Sequence, residues 1–197
     1  MLSTTELFVE HIISGILSLV WIGAIALSIT GFDLSIIPYL QSFWGLLAVL
    51  MTAIAYPIGI FVDTAADMLL EKKNLNIKTV KASVPKDVSL IQLLHELKDE
   101  NITSYFIYNR FKTRVTRSSA LNFVLIGLAV PVFLWVRGEG LQIEGVNAIA
   151  ITIMATFLFL SVIAFLMWTE TVKTMHERTR QLLDQNPGIA RELTSKT

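Results

Sequence analysis

Six charged residues have the types and spacing to do chemistry together. Asp63, Asp67 and Glu71 recur every four residues, and Arg110, Arg114 and Arg117 follow at spacings of four and three. On helices, each set would occupy one face. Antiparallel helices would bring Asp63 opposite Arg117, Asp67 opposite Arg114 and Glu71 opposite Arg110, an ion-pair ladder whose two stripes stay within about 2 Å of register over two turns. Such a ladder can clamp a hairpin, or it can gate a passage by pairing and parting. Asp63 and Asp67 could alternatively relay protons or bind a cation, since carboxylates beside a membrane span are candidates for function.

A polar stripe leads away from the acidic one. Thr52, Tyr56, Gly59 and Asp63 fall at helical offsets on one face, and Tyr56 is expected to meet Asn122 across a seam or to line a wet path. Gly59 permits a close neighbour, and Pro57 is expected to kink the helix. Ser14 and Ser18, like Thr152 and Thr156, are four apart, a spacing that marks helix contact in lipid or a wetted wall.

Other chemistry finds little support. His11, His95 and His176 are scattered, cysteine is absent, and no zinc site or cofactor is expected. Phosphate-loop, nucleophile-elbow and metalloprotease motifs are absent, so the chain reads as a non-enzyme. Tyr105, Phe106, Tyr108 and Phe111 interleave with Arg110, Lys112, Arg114 and Arg117. That composition suits a nucleic-acid surface, but it equally suits a helix crossing a membrane interface, and no nucleic acid is expected.

The elements that must hold these residues follow from where charge is missing. Of 197 residues, 53% are hydrophobic and 16% charged, with 16 Lys+Arg balancing 16 Asp+Glu. Soluble domains carry about 25% charge. Four windows, 12–32, 34–62, 118–136 and 145–169, hold no Asp, Glu, Lys or Arg, and each is long enough to cross about 30 Å of hydrocarbon. The chain is therefore expected to be all-α and polytopic, a single membrane domain with spans at about 12–31, 41–62, 119–136 and 146–168. Residues 63–117 form a helical cytoplasmic loop in this reading, and 169–186 a tail helix. Glu6 and Glu10 stand where a cleaved signal peptide would need Lys or Arg.

Lys and Arg retained on the cytoplasmic side set orientation. Ten lie in 63–117 and five follow residue 169, whereas the other connections contain only Arg137. Both termini are accordingly expected in the cytoplasm, in a cell inner membrane. Trp44 and Trp135 would anchor at the outer boundary and Trp168 at the inner one, with Trp21 packed between helices. In the loop, Asp87 can cap a short amphipathic helix whose Val88, Ile91, Leu94 and Leu97 could dock a cytoplasmic partner. Thr103 or Ser104 would cap the helix that runs into the third span.

The strings Tyr56-Pro57-Ile58-Gly59-Ile60-Phe61-Val62-Asp63-Thr64-Ala65-Ala66-Asp67 and Tyr108-Asn109-Arg110-Phe111-Lys112-Thr113-Arg114-Val115-Thr116-Arg117, with Ala120-Leu121-Asn122 beyond, carry a resemblance. This pairing of a Gly/Asp/Asp segment with a Tyr/Arg/Arg/Arg…Asn segment resembles a group of small uncharacterised four-span bacterial membrane proteins. It implies the four-span fold and no activity. In size and hydropathy the chain is also similar to small membrane proteins found beside bacterial phage-defence systems, including CRISPR accessory proteins. The expected function is a homo-oligomer that forms or gates a membrane passage. The alternative is a scaffold or accessory subunit, in a bacterial defence or stress system, that recruits a cytoplasmic protein.

Overall fold

A computed structural model describes residues 4–31, 41–81, 99–138 and 144–188. Four helices account for nearly all of them: α1 (Thr4–Thr30), α2 (Trp44–Lys81), α3 (Glu100–Arg137) and α4 (Val146–Gln185). Each is long and apolar enough to cross a membrane, so the chain has the architecture of a multi-pass membrane protein. The docking candidates Val88, Ile91, Leu94 and Leu97 lie outside the described residues, as do Asp87 and His95.

Helix ends follow from local chemistry. Asp99 caps α3, its Oδ1 accepting from the backbone N–H groups of Asn101 at 2.8 Å and Ile102 at 3.2 Å. The cap is thus not Thr103 or Ser104; Thr103 lies inside the first turn and donates its hydroxyl to Asp99 O instead. α2 and α3 run on through Pro57 and Pro131 without interruption. α4 closes at Asn186, whose N–H reaches Leu182 O and Leu183 O just ahead of Pro187.

The helices pack in the order α2, α1, α3, α4. α1 lies against both α2 and α3, α4 lies against α3, and α2 meets α3 and α4 only over short stretches. Small residues make the α1–α2 crossing possible. A Cβ added at Gly15 would lie 1.8 Å from Ala55 O, and one at Gly59 would lie 1.8 Å from His11 O. The two backbones are therefore in direct contact at Gly15/Ala55 and His11/Gly59, the close approach that small residues permit in lipid. Beyond this crossing, residues 44–54 of α2 are exposed on every face but that of Leu47.

The α1–α3 contact is polar. Asn122, fully buried, accepts at Oδ1 from Ser18 Oγ (2.8 Å) and Trp21 Nε1 (3.1 Å), and its Nδ2 donates to Ser14 O (3.1 Å). At the far end, Arg137 of α3 donates to Ser28 O and Ile29 O, placing a cation at the C-terminus of α1. α4 is fastened by Ser161 Oγ, which donates to Ala120 O at 2.8 Å, and by Phe157 against Phe123. Towards the end of α4, Val172, Leu182 and Leu183 are buried, and Glu170 and Lys173 approach to 3.8 Å.

Two expectations about these helices change. Trp168 is 1% exposed and stacks near Phe165, so it is a packing residue and not an interfacial anchor. Thr152 and Thr156 face outward, and Thr152 returns its hydroxyl to Ala148 O; of the two hydroxyl pairs, only Ser14/Ser18 forms a helix contact.

Candidate functional site

The crossing of α1 and α2 sets up a charged junction of three helices. Gly59 touches His11, and one turn further along α2 stands Asp63, which brings Asp63 against Glu10 and His11 of α1. α3 supplies Arg114 and Arg117 from the other side. Glu10, His11 and Asp63 are 3%, 8% and 6% exposed, so the junction is nearly dry.

Asp63 is its hub. Arg114 donates Nη2 to Asp63 Oδ2 at 2.8 Å and Nε to the same oxygen at 3.2 Å, while Arg117 donates Nη2 to Asp63 Oδ1 at 2.7 Å. Arg117 also pairs through Nη1 with Asp67, whose side chain is 60% exposed. Arg114 turns to α1 as well: its Nε lies 2.9 Å from Glu10 Oε1 and its Nη2 lies 3.5 Å from His11 Nε2. The Nε–H is aimed at Asp63, so Glu10 Oε1 has charge opposite it but no hydrogen-bond donor among the described residues. His11 Nδ1 likewise has none, and Tyr56 covers the imidazole edge-on at 5.8 Å.

The acidic and basic stripes do meet, and the expected Asp63–Arg117 rung forms, but the next rung does not. Asp67 pairs with Arg117 and not with Arg114, which is engaged with Asp63 and Glu10. The reason is α1: packed against both α2 and α3, it contributes the carboxylate of Glu10 to Arg114, so three helices share the charges that a two-helix ladder would have divided into rungs. Arg110 is exposed, and the side chain of Glu71 lies outside the described residues.

The expected seam of Thr52, Tyr56, Gly59 and Asn122 is not one surface. Tyr56 and Gly59 face α1 from one side, Tyr56 stacking on Phe8 at 5.1 Å, whereas Asn122 faces α1 from the other. Thr52 is exposed and donates to Ala48 O. α1 again separates residues that the sequence placed together.

Glu10 and His11 are the site residues that spacing arguments on α2 and α3 missed. A signal existed for Glu10: it lies four and eight residues before Ser14 and Ser18, on the face of α1 that is buried. Glu10, His11 and Asp63 each offer a ligand atom, and these atoms lie within 4.8 Å of one another. The guanidinium of Arg114 lies against all three. Formal charge at the junction is −3 from Glu10, Asp63 and Asp67 and +2 from Arg114 and Arg117, a net −1. Comparison with protein-family models, curated proteins and solved structures finds no match to this chain.

Proposed function

We propose that the chain is a homo-oligomeric membrane protein that forms or gates a passage, with the Glu10–Asp63–Asp67–Arg114–Arg117 junction as the fastening of its gate. One observation carries the reading: among the described side chains of α2, the buried ones fall between Ala55 and Ala66, and the stretch before them is exposed. The close contacts with α1 and the ion junction fall at residues 55–67, and residues 44–54 are exposed on every face but that of Leu47. A helix fastened over one stretch can pivot about it when the tie is released, as in hinge motions of packed helices. The junction supplies the tie, because charges removed from water hold tightly when paired and push apart when one partner is lost. In this proposal both termini are cytoplasmic, in keeping with the Lys/Arg count, and the junction lies at the cytoplasmic edge of a bacterial inner membrane. The protein carries out no bond-making chemistry.

The test is reconstitution of the purified protein into liposomes loaded with a fluorescent ion indicator, with particle mass measured in detergent. Wild type is expected to be multimeric and nearly closed, and Asp63→Asn to raise ion flux several-fold. A monomer with no flux in either form would remove the proposal. A cytoplasmic protein that co-purifies with such a silent monomer would favour the scaffold.

A further inference from the structure

We infer that Glu10, His11 and Asp63 form a divalent-cation site of the zinc or manganese class, in which Arg114 is a tethered cation that the metal displaces. The inference concerns binding alone and does not depend on whether the protein conducts. Two carboxylates and one imidazole are a ligand set that borderline divalent metals favour over magnesium or calcium, whose ligands are oxygens. Their ligand atoms already converge within 4.8 Å, and a cationic group already sits among them. The guanidinium is 2.9 Å from Glu10 Oε1, 2.8 Å from Asp63 Oδ2 and 3.5 Å from His11 Nε2.

The fit of that guanidinium is incomplete, which is the independent observation. Glu10 Oε1 is buried in a residue 3% exposed, and none of the described residues donates to it. Buried carboxylate oxygens normally have donors or a metal. His11 Nε2 lies 3.5 Å from Arg114 Nη2, too long for a good hydrogen bond but where the Nδ1–H tautomer would turn its lone pair to a cation. A spherical ion can satisfy all three groups at once, whereas a planar fork aligned on Asp63 satisfies one.

Charge favours the exchange. With Arg114 in place the junction carries −3 and +2, a net −1; with a divalent ion in its place and Arg114 swung into solvent it carries −3, +1 and +2, a net zero. The Arg114 side chain is 22% exposed, so it has a way out and the ion a way in. Arg117 remains on Asp63 Oδ1 and Asp67 throughout.

The experiment is zinc binding to the full-length protein in detergent, by calorimetry and by metal content after gel filtration. Wild type is expected to take up one zinc per chain weakly. Arg114→Gln removes the internal competitor and should tighten zinc binding by on the order of 100-fold, the effect of one unit charge a few ångströms from a divalent ion. Arg114→Lys, which keeps the charge, should bind no tighter than wild type. His11→Ala and Glu10→Gln should lose the stoichiometric zinc, whereas His176→Ala should keep it. If Arg114→Gln proves unstable, the wild-type chain decides: zinc should raise its melting temperature, and His11→Ala should abolish that rise. Zinc uptake by Arg114→Gln no greater than that of His11→Ala, or a wild-type melting shift that survives His11→Ala, overturns the inference.

Discussion

Asp63 bonds through both oxygens to guanidiniums on α3 while standing on α2 against α1, whereas Asp67 pairs with Arg117 among the described residues and its side chain is 60% exposed. Equal charges at adjacent turns should therefore differ sharply in worth. Asp63→Asn leaves partly buried guanidiniums short of charge and should cost about 3–5 kcal/mol, whereas Asp67→Asn should cost under about 1 kcal/mol. Thermal unfolding in detergent would rank them, and equal losses would contradict the hub. Partner choice is testable too: exchanging charges between Asp67 and Arg117 should recover more stability than exchanging them between Asp67 and Arg114. At this scale the sequence displayed the two stripes clearly, because spacing of three and four puts residues on one helical face regardless of context. It displayed Glu10 only through its spacing of four and eight from Ser14 and Ser18, and it did not display His11, because adjacent residues on a helix point about 100° apart and their common partner Asp63 lies some fifty positions away.

Among the elements, the α1–α2 crossing decides how the junction is built. Glycine is required there by contact: at Gly15 and Gly59 a Cβ would land on the other helix's backbone carbonyl, which has no rotamer with which to yield. Gly59→Val should push α1 and α2 apart and destabilise by about 1–3 kcal/mol or more. Gly45→Ala and Gly23→Ala, where nothing lies within 4 Å, should be neutral or stabilising by up to about 1 kcal/mol. Unfolding midpoints of the four variants, including Gly15→Ala, test the contrast. The need for a close approach at Gly59 was legible, since small residues in an apolar run signal packing. Its neighbour was not. Hydropathy assigns spans without saying which span lies beside which, so α2 and α3 were expected to pair along their length; they meet directly at the ion pairs, while α1 makes the larger contact with each of them.

For the whole molecule, four charge-free windows became four helices, the most legible feature because the bilayer's thickness imposes the length. The row α2, α1, α3, α4 was not legible. The exterior is strongly apolar, with Leu46, Val49, Phe61, Phe159, Val162 and Leu166 each more than half exposed, as a lipid-facing surface requires. Orientation is a separate expectation, and the lack of cysteine makes it simple to measure. A membrane-impermeant maleimide applied to intact cells should label Ser42→Cys and spare Asp99→Cys and Gln185→Cys. The opposite pattern would invert the topology and move the junction to the outer face.

The polar seam between α1 and α3 has a consequence for biogenesis. Ser18 and Asn122 are 104 positions apart, and Glu10 and Arg114 are separated by the same interval. A ribosome adding about 5–20 residues per second needs roughly 5–20 s to cover it. Throughout that time the first helix is already made, while the asparagine that joins its serines and the arginine that answers its glutamate have not yet been synthesised. The nascent protein must shelter those groups at the translocon or against the second helix. The third helix, arriving late, is then the step that commits the chain to its native arrangement.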